Sequence, residues 1–261
     1  MGLEIEDLLG ILNRTDLRHG FHYSEKFNAL YVEVPKCACS SIKRRMQNFE
    51  AGILDGHSLA IRYLHQKKKN PNALLGLKHG NVKGLSPKTF LRALQASSVY
   101  KFSFVRNPYG RLISAYKNKI LKKNKARIMV AQTLYGKSSY TEAEMLEVEI
   151  SFEDFVKFVI SHEDPINLNV HWRPQVSMLL SDYVDYDFVG RLESIDADWR
   201  VVHEKVYPYE YVPLSRENSS GWNKNYGSLG YTPELADMVY EYYRRDFEMF
   251  GYSRESYLKK E

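Results

Sequence analysis

From Phe27 to Val34 the chain alternates and is rich in β formers; it stops at Pro35, and Ser40 to Phe49 then runs at helical spacing up to Gly52. The pattern predicts a strand, a loop and a helix. A second such unit follows: Val99 to Val105 reads as a strand, Asn107-Pro108 as a turn, and Leu112 to Leu121 as a helix with Leu112, Ala115, Tyr116 and Lys119 on helical spacing. Between the two units lie a basic turn, Lys67 to Pro71, and a short helix opened by Ser86-Pro87. Ser151 and Asp154 form a capping pattern ahead of a helix over 152–162. Tyr186 to Val189 reads as a short strand closed by Gly190, and a helix over about 197–206 follows it. The stretch 213–230, rich in Ser, Asn and Gly, is irregular, and Thr232-Pro233 caps a final helix ending near Gly251. Repeated strand-loop-helix units imply an α/β protein with a parallel sheet.

Composition narrows the class. With 261 residues, 44% hydrophobic and 13% aromatic, the chain has enough apolar surface for a core, and no Gly/Ser-rich or Pro-rich linker divides it. A single domain over 1–261 is expected, with a core over about 27–252 and residues 1–24 as an N-terminal extension. No apolar run reaches the roughly 18 residues of a spanning helix, and the start is acidic where a signal peptide is basic. The net charge of +5 mildly favours an anionic partner and falls short of a nucleic-acid-binding composition. Cys37 and Cys39 are the only cysteines, too close for an ordinary disulfide and without the partners a zinc site needs; no metal is expected.

The chemistry concentrates in two segments. Val34-Pro35-Lys36-Cys37-Ala38-Cys39-Ser40-Ser41-Ile42 leaves a strand and opens a helix. Backbone N–H groups, a positive helix end, the Lys36 ammonium and two hydroxyls then suit an anion. The plain alternative is an ordinary turn with a capping Ser and a solvated Lys. The loop is P-loop-like without the glycines of nucleotide triphosphatases, and its lysine stands at the strand end. In Phe104 to Tyr116, Arg106 closes a strand and Ser114 sits in the following helix, where a bidentate guanidinium and a hydroxyl suit an oxyanion. Arg111 reads as a surface or structural residue.

Together the segments resemble the 5′-phosphosulfate loop and the 3′-phosphate motif of sulfotransferases that use 3′-phosphoadenosine 5′-phosphosulfate (PAPS), most of all the carbohydrate-type branch with the chondroitin and heparan sulfate enzymes. The landmarks His171-Trp172-Arg173-Pro174-Gln175, Asp187 to Glu193 and Asp246 to Tyr252 are similar to that branch in order and approximate spacing. The resemblance implies a P-loop-like three-layer α/β fold with a central parallel sheet flanked by helices. It implies that Lys36, Ala38, Cys39, Ser40, Ser41 and Ile42 hold the phosphosulfate and that Arg106 and Ser114 hold the 3′-phosphate. Asn218, Ser219 and Ser220 take the place of a loop that closes over the nucleotide, and Arg191 either contacts the nucleotide or pairs with Glu193. Animal members carry a Golgi anchor and lumenal disulfides; their absence from this sequence leads to the expectation of a cytoplasmic, bacterial-type enzyme.

The implied reaction moves a sulfuryl group to a hydroxyl of a glycan or small metabolite, with Lys36 stabilising the leaving phosphate. A hydroxyl acceptor calls for a base, and histidine titrates near neutrality. His79 lies between the two motifs, where heparan-type members place a catalytic histidine; His171 is the second candidate and His57 the third. The basic run Lys117 to Arg127 either guides an anionic acceptor or is a solvated helix face. A kinase-like P-loop enzyme and a non-catalytic nucleotide- or glycan-binding module are the competing classes.

Overall fold

The structure is a computed structural model and describes residues 20–50, 52, 54, 87–122, 125–136, 141–164, 168–215 and 230–258. His79, His57, Asn218, Ser219 and Ser220 lie outside the described residues, as does the basic turn at 67–71. The chain divides into two compact units, residues 1–105 with 178–219 and residues 106–177 with 220–261.

The first unit is built on a four-stranded mixed sheet in the order β1 (Phe21–Ser24), β2 (Ala29–Val32), β3 (Tyr100–Val105), β4 (Phe188–Arg191). Strands β2, β3 and β4 are parallel, with Val32 opposite Ser103 and Phe104 opposite Gly190, while β1 joins as an antiparallel edge. The architecture is α/β, as the sequence implies. Strand β1 was not legible, because a four-residue hairpin arm of the pattern Phe-His-Tyr-Ser carries little periodicity. β2 is shorter than its apolar run: residues 25–28 form the turn, and Asn28 takes a left-handed φ of 47° there.

Helix α1 (Cys39–Glu50) leaves the sheet after β2, and α2 (Pro87–Gln95) precedes β3. Every residue of β2, and every residue of β3 after Tyr100, is buried, the pattern of parallel strands with both faces covered. Tyr31 stacks on Phe102, and Phe102 meets Phe104 edge to face. Ser103 Oγ ties the two strands by donating to the Val32 carbonyl at 2.7 Å. Gly190 does not close the last strand but lies inside it. A Cβ there would stand 2.5 Å from Phe104 Cε1 and 3.0 Å from Asp198 Cβ, so only glycine fits beside that ring. Helix α8 (Ile195–Val206) follows β4 and packs on it.

The second unit is helical. Asn107 caps α3 (Pro108–Ala115), its side-chain oxygen accepting the Tyr109 N–H at 3.0 Å. The helix expected over 112–121 therefore starts earlier, and its last turn is a π-helix, Tyr116–Ile120, closed by Leu121 N–H on the Tyr116 carbonyl. The basic run is consequently not one helix: α4 begins anew at Lys125 and ends at Tyr135. α5 (Glu142–Glu147) carries a capping box from Thr141 and Glu144. α6 (Phe152–Ile160) is capped by Ser151 as its sequence predicts. α7 spans Gln175–Leu179 and crosses the boundary of the two units. The expected final helix is two, α9 (Pro233–Tyr242) and α10 (Arg244–Met249), broken at Tyr243, whose backbone is not helical. The Tyr243 hydroxyl there donates to the Trp172 carbonyl. A core of Tyr109, Leu112, Phe155, Trp172, Val239 and Phe247 holds this unit together.

Candidate functional site

In the first unit the loop between β2 and α1 adopts a conformation its sequence does not advertise. Lys36 and Ala38 both have positive φ, 76° and 60°, although neither is glycine. A left-handed residue with a Cβ costs about 1–2 kcal/mol, and such residues persist where the surroundings hold them, often at ligand clamps. The Ala38 carbonyl accepts the Ser41 and Ile42 N–H groups at 3.0 and 3.1 Å, which makes Ala38 the residue that opens α1. An oxygen-bearing side chain normally stands there to receive first-turn N–H groups. A methyl group receives nothing, so the N–H groups of Cys39 and Ser40 obtain no cap from it. Ser40 is exposed, and Ser41 and Ile42 are buried. The donor set, the positive helix end and the adjacent Lys36 side chain fit an anion of the phosphate or sulfate class.

Both flanks of this loop are tied to one carboxylate. Glu33 Oε2 accepts from Lys43 Nζ of α1 at 2.7 Å and from His22 Nε2 of β1 at 2.9 Å. Burial alone would raise the Glu33 carboxyl, but the His22 hydrogen bond and the Lys43 charge outweigh it and bring it down to about 2. Burial, with the Glu33 charge behind it, pushes the Cys39 thiol up to about 12. Cys39 is therefore a neutral thiol and no nucleophile at physiological pH. Glu33, His22 and Lys43 were missed in the sequence. The available signal was a charged residue at the end of an otherwise apolar strand.

Arg191 ends β4; its N–H donates to Asp198 Oδ2 at 2.6 Å, and the residue is exposed.

In the second unit, Arg106 is half-buried and stands outside any helix or strand. The Gln175 side-chain amide holds its backbone on both sides: Oε1 accepts the Arg106 N–H at 2.9 Å and Nε2 donates to the Arg106 carbonyl at 2.8 Å. Ser114 is half-buried in the second turn of α3. Of the two readings of Arg111, surface or structural, the structure shows the structural one. Arg111 is 2% exposed and donates to the Arg173 carbonyl at 2.7 Å and the Val170 carbonyl at 2.9 Å, pinning the segment that bears His171.

His171 is half-buried, and its ring is oriented. Its Nδ1 lies 2.7 Å from Asn169 Oδ1, and its own backbone N–H donates to the same atom at 3.1 Å. An atom that receives a backbone N–H is an acceptor, so Nδ1 carries the proton and the lone pair of the neutral ring is at Nε2. Among the described residues no cluster of His, Cys, Asp and Glu is arranged to hold a metal, and no helix is long and apolar enough to cross a membrane.

A donor-rich loop that leads from a β-strand into a helix on a largely parallel sheet is a P-loop-like arrangement. The chain belongs to the sulfotransferase family, whose profile matches residues 19–253. It is 26% identical to carbohydrate sulfotransferase 11 of Danio rerio over 95% of this chain and 71% of the relative. It is 30% identical to carbohydrate sulfotransferase 14 of Homo sapiens over 95% of this chain and 63% of the relative. Against carbohydrate sulfotransferase 12 of Mus musculus it is 27% identical over 91% of this chain and 61% of the relative. The chain thus spans about two thirds of the length of these relatives. No solved structure matches it.

The comparison corrects one expectation. Carbohydrate sulfotransferases of this kind are Golgi membrane enzymes, so the cytoplasmic assignment does not stand. It rested on the sequence alone, and the relatives extend beyond the segment this chain matches.

Proposed function

We propose that this protein is a PAPS-dependent sulfotransferase acting on a hydroxyl of a glycan. The observation that carries the reading is the left-handed pair Lys36 and Ala38 at a helix start where Ala38 offers no side-chain oxygen, a strained backbone that an anion would repay. The relatives, by name carbohydrate sulfotransferases, favour a glycan over a small metabolite.

PAPS supplies the sulfuryl group. The N–H groups of Cys39 and Ser40 and the Ser40 and Ser41 hydroxyls would hold its phosphosulfate, with Ala38 and Ile42 lining the loop. Lys36 would neutralise charge growing on the leaving phosphate, an interaction stronger in the transition state than before it. Arg106 and Ser114 would bind the 3′-phosphate, and Arg191, Asn218, Ser219 and Ser220 complete the proposed nucleotide contacts. His79, from its position between the motifs, is the proposed base that takes the acceptor's proton. His171 is the second candidate, favoured by the Asn169 contact that leaves Nε2 as the basic nitrogen.

Calorimetry without magnesium tests the nucleotide part. Binding of 3′,5′-ADP well above 5′-AMP supports it, whereas magnesium-dependent binding of ATP in preference would favour the kinase-like class. Binding of 3′,5′-ADP with no turnover of PAPS against any glycan would favour a non-catalytic module.

A further inference from the structure

Gln175 and Asp246 have no part in the chemistry assigned so far, yet both side chains are fully buried and every polar atom involved is committed. Asp246, in α10, accepts the Gln175 N–H on Oδ2 at 2.8 Å and the Val176 N–H on Oδ1 at 2.9 Å. Burial raises the Asp246 carboxyl, an effect the two N–H groups and the Arg111 charge partly offset. Gln175 passes the constraint on through the paired bonds to the Arg106 N–H and carbonyl. Arg106 follows the last residue of β3 and precedes Asn107, the cap of α3, so neither a strand ladder nor a helix fixes its backbone. Gln175 supplies both missing partners.

We propose that Gln175 is a positioning residue that aims the Arg106 guanidinium at the 3′-phosphate of the nucleotide, with Asp246 locking Gln175 in place. The proposal rests on the PAPS reading above. A side-chain amide is required because one acceptor and one donor must face one peptide unit: glutamate would set an oxygen against the Arg106 carbonyl, and asparagine is a methylene too short. Asn at 246 would set an NH₂ group against a backbone N–H. The residue touches no reacting atom and acts only through Arg106.

The test is calorimetry with 3′,5′-ADP and 5′-AMP, two nucleotides that differ by the 3′-phosphate alone, on wild type, Gln175→Leu, Arg106→Ala and the double variant. Gln175→Leu should weaken 3′,5′-ADP by about 10- to 100-fold, as loss of buried hydrogen bonds implies, and leave 5′-AMP nearly unchanged. The double variant should bind 3′,5′-ADP no more weakly than Arg106→Ala. Equal weakening of both nucleotides, or full additivity with Arg106→Ala, overturns the proposal. Gln175→Glu covers the case in which leucine prevents folding. A protonated carboxyl again offers one acceptor and one donor, so its 3′,5′-ADP affinity relative to wild type should recover several-fold as the pH falls from 8 towards 5.5, and a flat ratio overturns the proposal. A wild type that does not distinguish the two nucleotides sinks the PAPS reading itself. A wild type that does, beside a Gln175→Leu that still does, removes only Gln175.

Discussion

Glu33, the residue after β2, and Lys43, in the second turn of α1, are bridged at 2.7 Å, so one ion pair joins the two flanks of the β2–α1 loop. His22 adds a third member from the edge strand at 2.9 Å. The left-handed residues lie between the bridged positions, and the network therefore holds closed a loop that its own backbone preferences would open.

Glu33→Gln should cost about 1–3 kcal/mol at neutral pH, because it removes the charge that compensates a partly buried ammonium. The pH dependence has a definite sign. The folded carboxyl titrates near 2 against an ordinary 4.5, so its stabilisation is complete above 4.5 and is lost as the pH falls from there to 2. Urea melts at several pH values should show the gap between wild type and Glu33→Gln constant above about pH 5 and shrinking below it. A gap that widens in acid contradicts the ion-pair account.

Cys39 should be chemically quiet. Its thiol, held up to about 12, offers almost no thiolate at pH 8, so iodoacetamide should label the native protein far more slowly than the unfolded chain. Cys39→Ser, which keeps a donor for Glu33, should retain most nucleotide binding and turnover, and so should Cys37→Ala. Loss of turnover in a folded, nucleotide-binding Cys39→Ser would mean that the thiol takes part in the reaction.

Gly190→Ala should destabilise the protein by about 1–3 kcal/mol through overpacking against the fully buried Phe104 ring. The measurement is the shift of the denaturation midpoint. An unchanged midpoint would mean that the sheet relaxes freely around β4.

The histidine question is settled by comparing two variants. If His79 is the base, His79→Ala should lower kcat by about 10²- to 10⁴-fold with 3′,5′-ADP affinity unchanged, while His171→Ala stays near wild type. The reverse pattern hands the role to His171. Asn169→Ala should then reproduce part of the His171→Ala loss, because the ring's tautomer is no longer fixed.

What the sequence made readable is what local chemistry governs. The β2-loop-α1 and β3-Arg106-α3 units, and the caps at Ser151 and Thr232, follow from periodicity and from side chains a few residues away. Three kinds of feature escaped. Lys36 and Ala38 are left-handed without glycine, a conformation imposed from outside the loop. The π-turn after α3 differs from an α-helix by one hydrogen-bond register, to which side-chain spacing is nearly blind. Gln175, Asp246 and Arg106 are far apart in sequence, and their connection exists only once the chain has folded. Of the proposed site residues, Lys36, Ser41, Arg106, Ser114 and His171 have described positions, whereas His79 and Asn218 to Ser220 do not.

The most direct measurement of the central claim is transfer of labelled sulfur from PAPS to polysaccharide acceptors, without added magnesium, by wild type and by Lys36→Ala and Arg106→Ala. The account predicts labelled polysaccharide and an equal amount of 3′,5′-ADP with wild type. Lys36→Ala should lose both nucleotide affinity and turnover, and Arg106→Ala should regain rate at high PAPS. Wild type that binds no PAPS, or both variants turning over at the wild-type rate, would contradict it.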